Sequence, residues 1–313
     1  MNYLIEEQHQ LTQLEPLFAR LSEESGIVAV DTEFLREKTY NAKLCLVQLG
    51  IGEHQYCIDV LAIDDLSSLA DLFINERVLK LFHAARQDME VIYQTLSVLP
   101  KPIFDTQLAS AFCGGDMQQG YGAMVLERTG VELPKTQSRT DWTRRPLTAA
   151  QIEYAGDDVA HLEELYNQTN AHLQQSGRTE WYRQEIDTYY ELDKYVTDPA
   201  MAYKRLSGGG FNKEQQYFLQ ALAQWREASA QQRDIPRTWV IRDDKLYELV
   251  NQMPQTEQEI RDLNVFGRKS VVHLAPQTLE IMNAVTVGNE LIWRKVDPLS
   301  KQEKGLCSSL MKR

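Results

Sequence analysis

Four acidic residues and a tyrosine carry the chemistry this chain offers. The run Gly26-Ile27-Val28-Ala29-Val30-Asp31-Thr32-Glu33-Phe34 is apolar until it ends in two carboxylates one residue apart. Val, Ile and Ala behind a glycine read as a buried strand, and a strand sends alternate side chains to one face. Asp31 and Glu33 then point the same way, roughly 6.5 to 7 Å apart. Two unpaired carboxylates at the end of a core strand repel each other and lose hydration, so a compensating cation is needed, and a divalent metal is the simplest. A strand end running into solvent would explain the same pair without chemistry. Asp88 opens a helix directly after a strand, the position where an α/β sheet presents residues at its carboxyl edge. A helix N-terminal acid favoured by the dipole needs no further role, so that reading stands beside the first. Tyr154 and Asp158, four apart on a helix, share a face. Asp157, about 100° round the same helix, is expected in solvent.

The elements that must hold these residues follow from periodicity. Leu11, Leu14, Leu17, Phe18 and Leu21 recur at spacings of three and four, an amphipathic helix leading into the first strand. Strands are expected at 42–51 and 55–60, joined as a hairpin by Gly52-Glu53-His54, then at 78–82 and at Ile103-Phe104. Helices fall at 66–74, after His83, at 106–112 and at 123–129. Thr148 with Gln151 makes a capping box for a long helix carrying Ile152, Tyr154, Ala155, Val159, Leu162 and Leu165. A further helical segment spans 181–195. The fold class this predicts is α/β, a mixed sheet with helices packed on it, followed by an all-α helical bundle. The bundle is predicted from helical stripes such as Leu219, Leu222, Trp225 and Ala228, with one strand possible at Trp239-Val240-Ile241. The predicted division is 1–206 for the first domain, 207–210 for a Gly-rich linker, 211–290 for the bundle and 291–313 for a polar, basic tail.

At 313 residues the chain is long enough for two domains. No apolar run is long enough to span a bilayer and no signal peptide is indicated, so a cytoplasmic protein is expected, with no membrane partner. Cys45, Cys57, Cys113 and Cys307 show no Cys-x-x-Cys spacing and read as reduced thiols. Net charge is −12, which by itself argues against a nucleic-acid partner. The charge is unevenly spread. Residues 1–205 hold 18 Lys+Arg against 32 Asp+Glu, a net of −14, and the remainder holds 15 against 13, a net of +2. Overall charge therefore does not decide the partner.

Asp31-Thr32-Glu33, Asp88 within Phe82-His83-Ala84-Ala85-Arg86-Gln87-Asp88, and Tyr154-x-x-x-Asp158 together resemble the three motifs of the DEDD superfamily of 3′→5′ exonucleases, tyrosine branch, and more specifically ribonuclease D. Phe104-Asp105-Thr106-Gln107, Ser138-Arg139-Thr140-Asp141-Trp142 and Arg145-Pro146-Leu147-Thr148 follow in the order that family shows. The segment from about Phe211 to Val285 is similar to the HRDC module. The resemblance implies a ribonuclease H-like exonuclease domain, catalytic residues Asp31, Glu33, Asp88, Tyr154 and Asp158, and RNA 3′ ends as substrate, tRNA precursors in particular. It implies metal ligands Asp31, Glu33, Asp88 and Asp158 for two divalent cations. All-oxygen ligands suit Mg2+ or Mn2+, and the lack of paired His or Cys argues against zinc. Tyr154, with an ordinary pKa near 10, is a poor base and would orient the attacking water. Phe34, His83 and Arg139 are candidate nucleic-acid contacts, each with an alternative: a core strand residue, a locally bonded helix-start histidine, a solvated arginine. Asp105 reads as a helix cap or a site-edge acid. Lys213, Arg226, Arg233 and Arg237 could touch phosphates or form a wet face. Relatives of this kind commonly carry two helical modules after the exonuclease domain, and one is visible here. A monomer is expected. A DNA-directed exonuclease of the same superfamily and a catalytically inactive RNA-binding scaffold are the rival readings.

Overall fold

The computed structural model describes residues 1–134, 137, 140–294 and 300–310. The chain divides into two compact units, Met1–Val196 and Thr197–Arg313.

The first unit is built on a six-stranded sheet: β1 (Asn2–Ile5), β2 (Ile27–Leu35), β3 (Lys43–Ile51), β4 (His54–Ile58), β5 (Leu79–Phe82) and β6 (Ile103–Asp105), in the spatial order β1-β4-β3-β2-β5-β6. β2, β3 and β4 pair antiparallel, whereas β1 runs parallel to β4, and β5 and β6 run parallel to β2 and to each other. The sheet is mixed, as the alternation of hairpin and strand-helix segments predicts. Among the described residues nine α-helices accompany it: α1 (Gln8–Thr12), α2 (Glu15–Glu24), α3 (Ser67–Ile74), α4 (Arg86–Leu96), α5 (Thr106–Phe112), α6 (Tyr121–Thr129), α7 (Ala149–Ala160), α8 (Leu162–Gln175) and α9 (Thr179–Asp187). Val28, Val30, Val47, Leu49, Ile58, Leu81 and Phe82 form the centre of the core, all fully buried.

Two glycines let α7 lie close on the sheet. A Cβ on Gly50 of β3 would stand 3.1 Å from the Val159 carbonyl oxygen, and one on Gly156 of α7 would sit 2.5 Å from the Asn2 side chain. Helix and sheet therefore approach nearer than any side chain would permit, which brings the polar residues of α7 down to the sheet surface.

Four expectations are corrected. The segment before Gly26 is not one helix: it opens with β1, and Pro16 in the first turn of α2 helps set a second helix apart from α1. A four-residue edge strand is too short to show a period. The long helix begun by the Thr148/Gln151 capping box breaks at His161, whose N–H is taken by the Tyr121 hydroxyl at 3.1 Å instead of continuing the ladder. The 181–195 segment is helical only to Asp187 and continues as two 3-10 turns. Trp239-Val240-Ile241 is not a strand: Arg237–Val240 is a short helix and Ile241 alone is extended.

The second unit contains a 3-10 helix (Pro199–Arg205), α10 (Lys213–Gln232), α11 (Arg237–Val240), α12 (Asp243–Gln252), α13 (Glu257–Asp262), α14 (Val271–Ala284) and α15 (Lys301–Leu310). Its boundary falls ten residues ahead of the expected one, and the glycine run is not a spacer between units. The Trp293 ring lies over Gly208, where a Cβ would come within 2.4 Å of it, and Trp293 Nε1 donates to the Leu206 carbonyl. Gly208 thus serves close packing. Of the expected basic tail, residues 295–299 and 311–313 lie outside the described residues.

Candidate active site

β2 extends past the end of β5. Their pairing stops at Ala29, so Asp31 to Leu35 reach beyond the parallel part of the sheet, where the carboxyl edge opens. On one face there, Asp31 and Glu33 meet Asp158 of α7, and the three offer carboxylate oxygens within 4.8 Å of one another. More than a hundred residues of chain separate β2 from α7, so no local propensity dictates that encounter. Asp88 stands at the first turn of α4, 7% exposed, and accepts a hydrogen bond from the Thr32 hydroxyl at 2.5 Å. Asp88 is not among the three acids whose oxygens lie within 4.8 Å of one another, but its charge acts on Asp31 more strongly than that of Asp158 or Glu33.

The electrostatics are those of a site short of positive charge. Burial is the largest influence on Asp31, followed by the charges of Asp88, Asp158 and Glu33, and it holds the Asp31 carboxyl well above the usual range. Part of Asp31 remains open to solvent, so dense protein crowds it on some sides while an aqueous approach is kept. Glu33 is pushed up to about 9 by burial, then by Asp158 and Asp88. Asp88 and Asp158 are raised to about 7, chiefly by burial, and hydrogen bonds from Thr32 and Tyr154 respectively pull them partly back. Four acids this close hold protons at neutral pH that a divalent cation would displace. An all-oxygen, partly open, acidic pocket fits a hard cation such as Mg2+ or Mn2+.

Tyr154 shares the Asp158 face of α7, and burial followed by the charges of Asp158, Glu33 and Asp31 moves its hydroxyl up from the ordinary value. It keeps its proton and donates to Asp158. The Trp142 ring, 3% exposed, packs at 6.2 Å from the Tyr154 ring and backs it with Leu147 and Ala155. Asp157 is half-buried, not out in solvent, and its carbonyl accepts from the Tyr121 hydroxyl.

The proposed substrate contacts fare differently. At Phe34 the β2–β3 register shifts, Cys45 of β3 being left over, and Phe34 packs against the core while lying partly exposed, with the Arg36 guanidinium 5.9 Å over its ring. Both ring nitrogens of His83 are occupied, Nδ1 with the Thr106 hydroxyl at 2.9 Å and Nε2 with the Gln119 carbonyl at 2.8 Å. The histidine ties the Gln119 loop to α5, which is the local role. Arg139 and Ser138 lie outside the described residues. Arg145 is not solvated surface: Nε and Nη2 grip both oxygens of Asp59, itself 1% exposed, and Nη2 also donates to the Cys45 carbonyl. Arg226 is 2% exposed and its Nη1 donates to the Ile241 carbonyl and to Asp243, so it organises the second unit and is withdrawn from any phosphate. Lys213 and Arg233 are exposed.

Asp105 exceeds the cap expected of it. Its Oδ1 accepts from Gln107 N and Leu108 N at the start of α5 and from Ala84 N, while Oδ2 accepts from Ala85 N. Ala84 has a positive φ of 62°, a conformation that costs a non-glycine residue energy and that Asp105 holds in place. One carboxylate thus clamps the turn that delivers Asp88. Periodicity could not have found Thr32, Tyr121 or the reach of Asp105. The one available signal was that Thr32 sits between two acids and must face away from them.

A family model described as 3'-5' exonuclease matches residues 5–174, and one for the HRDC domain matches residues 215–282. The chain is 38% identical over 260 residues to ribonuclease D of Bartonella henselae, covering 83% of this chain and 64% of that one. It is 39% identical over 252 residues to ribonuclease D of Nitrobacter hamburgensis, covering 80% and 66%. It thus spans slightly less than two thirds of the length of these relatives. Among solved structures, Escherichia coli RNase D, an exoribonuclease involved in structured RNA processing, superposes with a TM-score of 0.89 at 30% identity, covering 100% of this chain and 83% of that chain.

Proposed function

The chain belongs to the ribonuclease D family of 3′-5′ exonucleases, and on that premise we propose that it is a metal-dependent 3′→5′ exoribonuclease that removes nucleotides from RNA 3′ ends, tRNA precursors in particular. The observation that carries the reading is the meeting of Asp31, Glu33 and Asp158, from β2 and α7, within 4.8 Å. Divalent cations held there would supply an activated water and offset the charge developing on the leaving 3′ oxygen.

The roles of the side chains follow. Asp31, Glu33 and Asp158 would hold a cation with their carboxylate oxygens, and Asp88, held by the Thr32 hydroxyl, would add its carboxylate beside them. Tyr154 keeps its proton and, fixed between Trp142 and Asp158, presents its hydroxyl to orient the attacking water. Phe34 is set to stack on the terminal base, a contact indifferent to base identity. Among the described residues no helix is long and apolar enough to cross a membrane, and we place the activity in the cytoplasm, carried by a monomer.

Matched 5′-labelled RNA and DNA oligonucleotides with free and blocked 3′ ends, incubated with Mg2+ or Mn2+, test this. Stepwise shortening of the unblocked RNA, abolished by chelator and by Asp31→Asn, is the expected outcome. Equal or preferential loss of the DNA would transfer the assignment to a DNA-directed exonuclease, and activity surviving in Asp31→Asn would reject the site.

A further inference from the structure

Gln48 is a fully buried polar residue on the sheet that the mechanism above leaves unused. It lies on β3, is 0% exposed, and among the described residues neither its Oε1 nor its Nε2 has a hydrogen-bond partner. Its position gives this meaning. In the antiparallel register Gln48 is directly opposite Asp31 on β2, and on its other side it pairs with Cys57 on β4. Directly opposed residues share a face, with Cβ atoms about 4.5 to 5.5 Å apart. The pairs on either side agree, Glu33 with Leu46 and Ala29 with Gly50, so Leu46, Gln48 and Gly50 form the row beside the acidic pair.

That row lies beneath α7. Gly50 meets Val159 of α7, and Cys57 Sγ reaches the Ile152 carbonyl of the same helix at 3.8 Å. Gln48 is enclosed between them, with a fully buried thiol on one flank, the Asp31 carboxyl on the other and a helix overhead. A buried amide without partners loses its hydration with nothing in return, a penalty that a methionine of similar length would avoid. The charged residue that the strand register sets directly opposite this amide is Asp31. An ionised carboxylate accepts only, and one that ligates a cation needs a donor on the oxygen turned away from it.

We propose that Gln48 is a positioning residue for the metal site: with cations bound, its Nε2 donates to the Asp31 carboxylate, directly or through one buried water, and so fixes the oxygens that Asp31 presents. The inference rests on the reading of Asp31 as a metal ligand. Gln48 touches neither the RNA nor the reacting atoms, so its effect belongs to cation affinity and not to RNA binding.

Mn2+ binding to chelator-stripped full-length protein, followed by calorimetry and by the electron paramagnetic resonance of bound Mn2+, separates the possibilities in wild type, Gln48→Met and Asp31→Asn. Gln48→Met is expected to melt no lower than wild type without metal, to bind Mn2+ about 10- to 100-fold more weakly, and to recover exonuclease rate at high Mn2+ with its KM for RNA unchanged. Gln48→Asn, one methylene short, is expected to weaken Mn2+ binding in the same direction. Mn2+ affinities of both variants within twofold of wild type, while Asp31→Asn has lost binding, would overturn this inference alone. Undiminished Mn2+ binding by Asp31→Asn would overturn the site itself. A crystal of the wild-type protein soaked in Mn2+ needs no variant to fold: the Gln48 amide within about 3.5 Å of an Asp31 oxygen, or of a water that contacts one, supports the proposal, and an amide lacking both refutes it.

Discussion

Removing one carboxylate from the acidic cluster should make the metal-free protein more stable, and only above a defined pH. Glu33 ordinarily titrates at 4.5 and is pushed up to about 9 here, mainly by burial and then by Asp158 and Asp88. The sign follows from which state holds the proton. An acid whose folded pKa is raised contributes its full stability below its unfolded value, and that contribution drains away as pH rises toward the folded value, here from about 4.5 to about 9. At pH 7.5 the loss spans 7.5 − 4.5, about 3 units, or roughly 4 kcal/mol at ~1.4 kcal/mol per unit. Glu33 is partly open to solvent and shares protons with its neighbours, so about half of that survives, ~2 kcal/mol. For a unit the size of Met1–Val196 this corresponds to about 4 to 8 °C in Tm. Glu33→Gln in chelator should therefore match wild type near pH 5 and melt about 4 to 8 °C higher near pH 7.5, while Mn2+ raises the Tm of wild type much more than that of the variant. Differential scanning calorimetry across pH 5 to 8.5 is the assay. A Glu33→Gln offset that is the same at both ends of that range would refute the electrostatic reasoning, because a packing change does not titrate.

Three further outcomes follow from contacts around the site. Tyr154→Phe should lower kcat about 100-fold while Mn2+ affinity stays within a few-fold, since the hydroxyl orients the water without being a ligand; stopped-flow rates paired with Mn2+ titration check this. Asp59→Asn should cost about 2 to 3 kcal/mol in urea unfolding, because the buried position 59 would lose the charge and one of the two oxygens that hold the Arg145 fork. Asp105→Asn leaves one acceptor oxygen for backbone N–H groups that now share two. A loss of about 1 to 3 kcal/mol is expected, with faster amide exchange at Ala84 and Ala85 and weaker occupancy of the cation that depends on Asp88.

The chain order of the acids, the strand that carries two of them and the helix face shared by Tyr154 and Asp158 could all be read from the sequence. Each depends on spacing along one element, and the periods of strand and helix are set by backbone geometry. The capping box at Thr148 was legible for the same reason, its two residues being three apart. The break at His161 was not, because the Tyr121 hydroxyl that takes the His161 N–H comes from forty residues away. The same holds for Thr32 against Asp88, for Asp105 clamping the Ala84 turn and for Gln48 beside Asp31. Arg226 looked like a free cation, since a sequence lists charges without saying which ones the fold turns inward. Local spacing thus determined which residues could act and on which faces they lie. Tertiary structure alone decided that β2 outruns β5, that two glycines let α7 settle onto the sheet, and that acids far apart in the chain share a pocket, because long-range packing sets those distances and no local pattern encodes it.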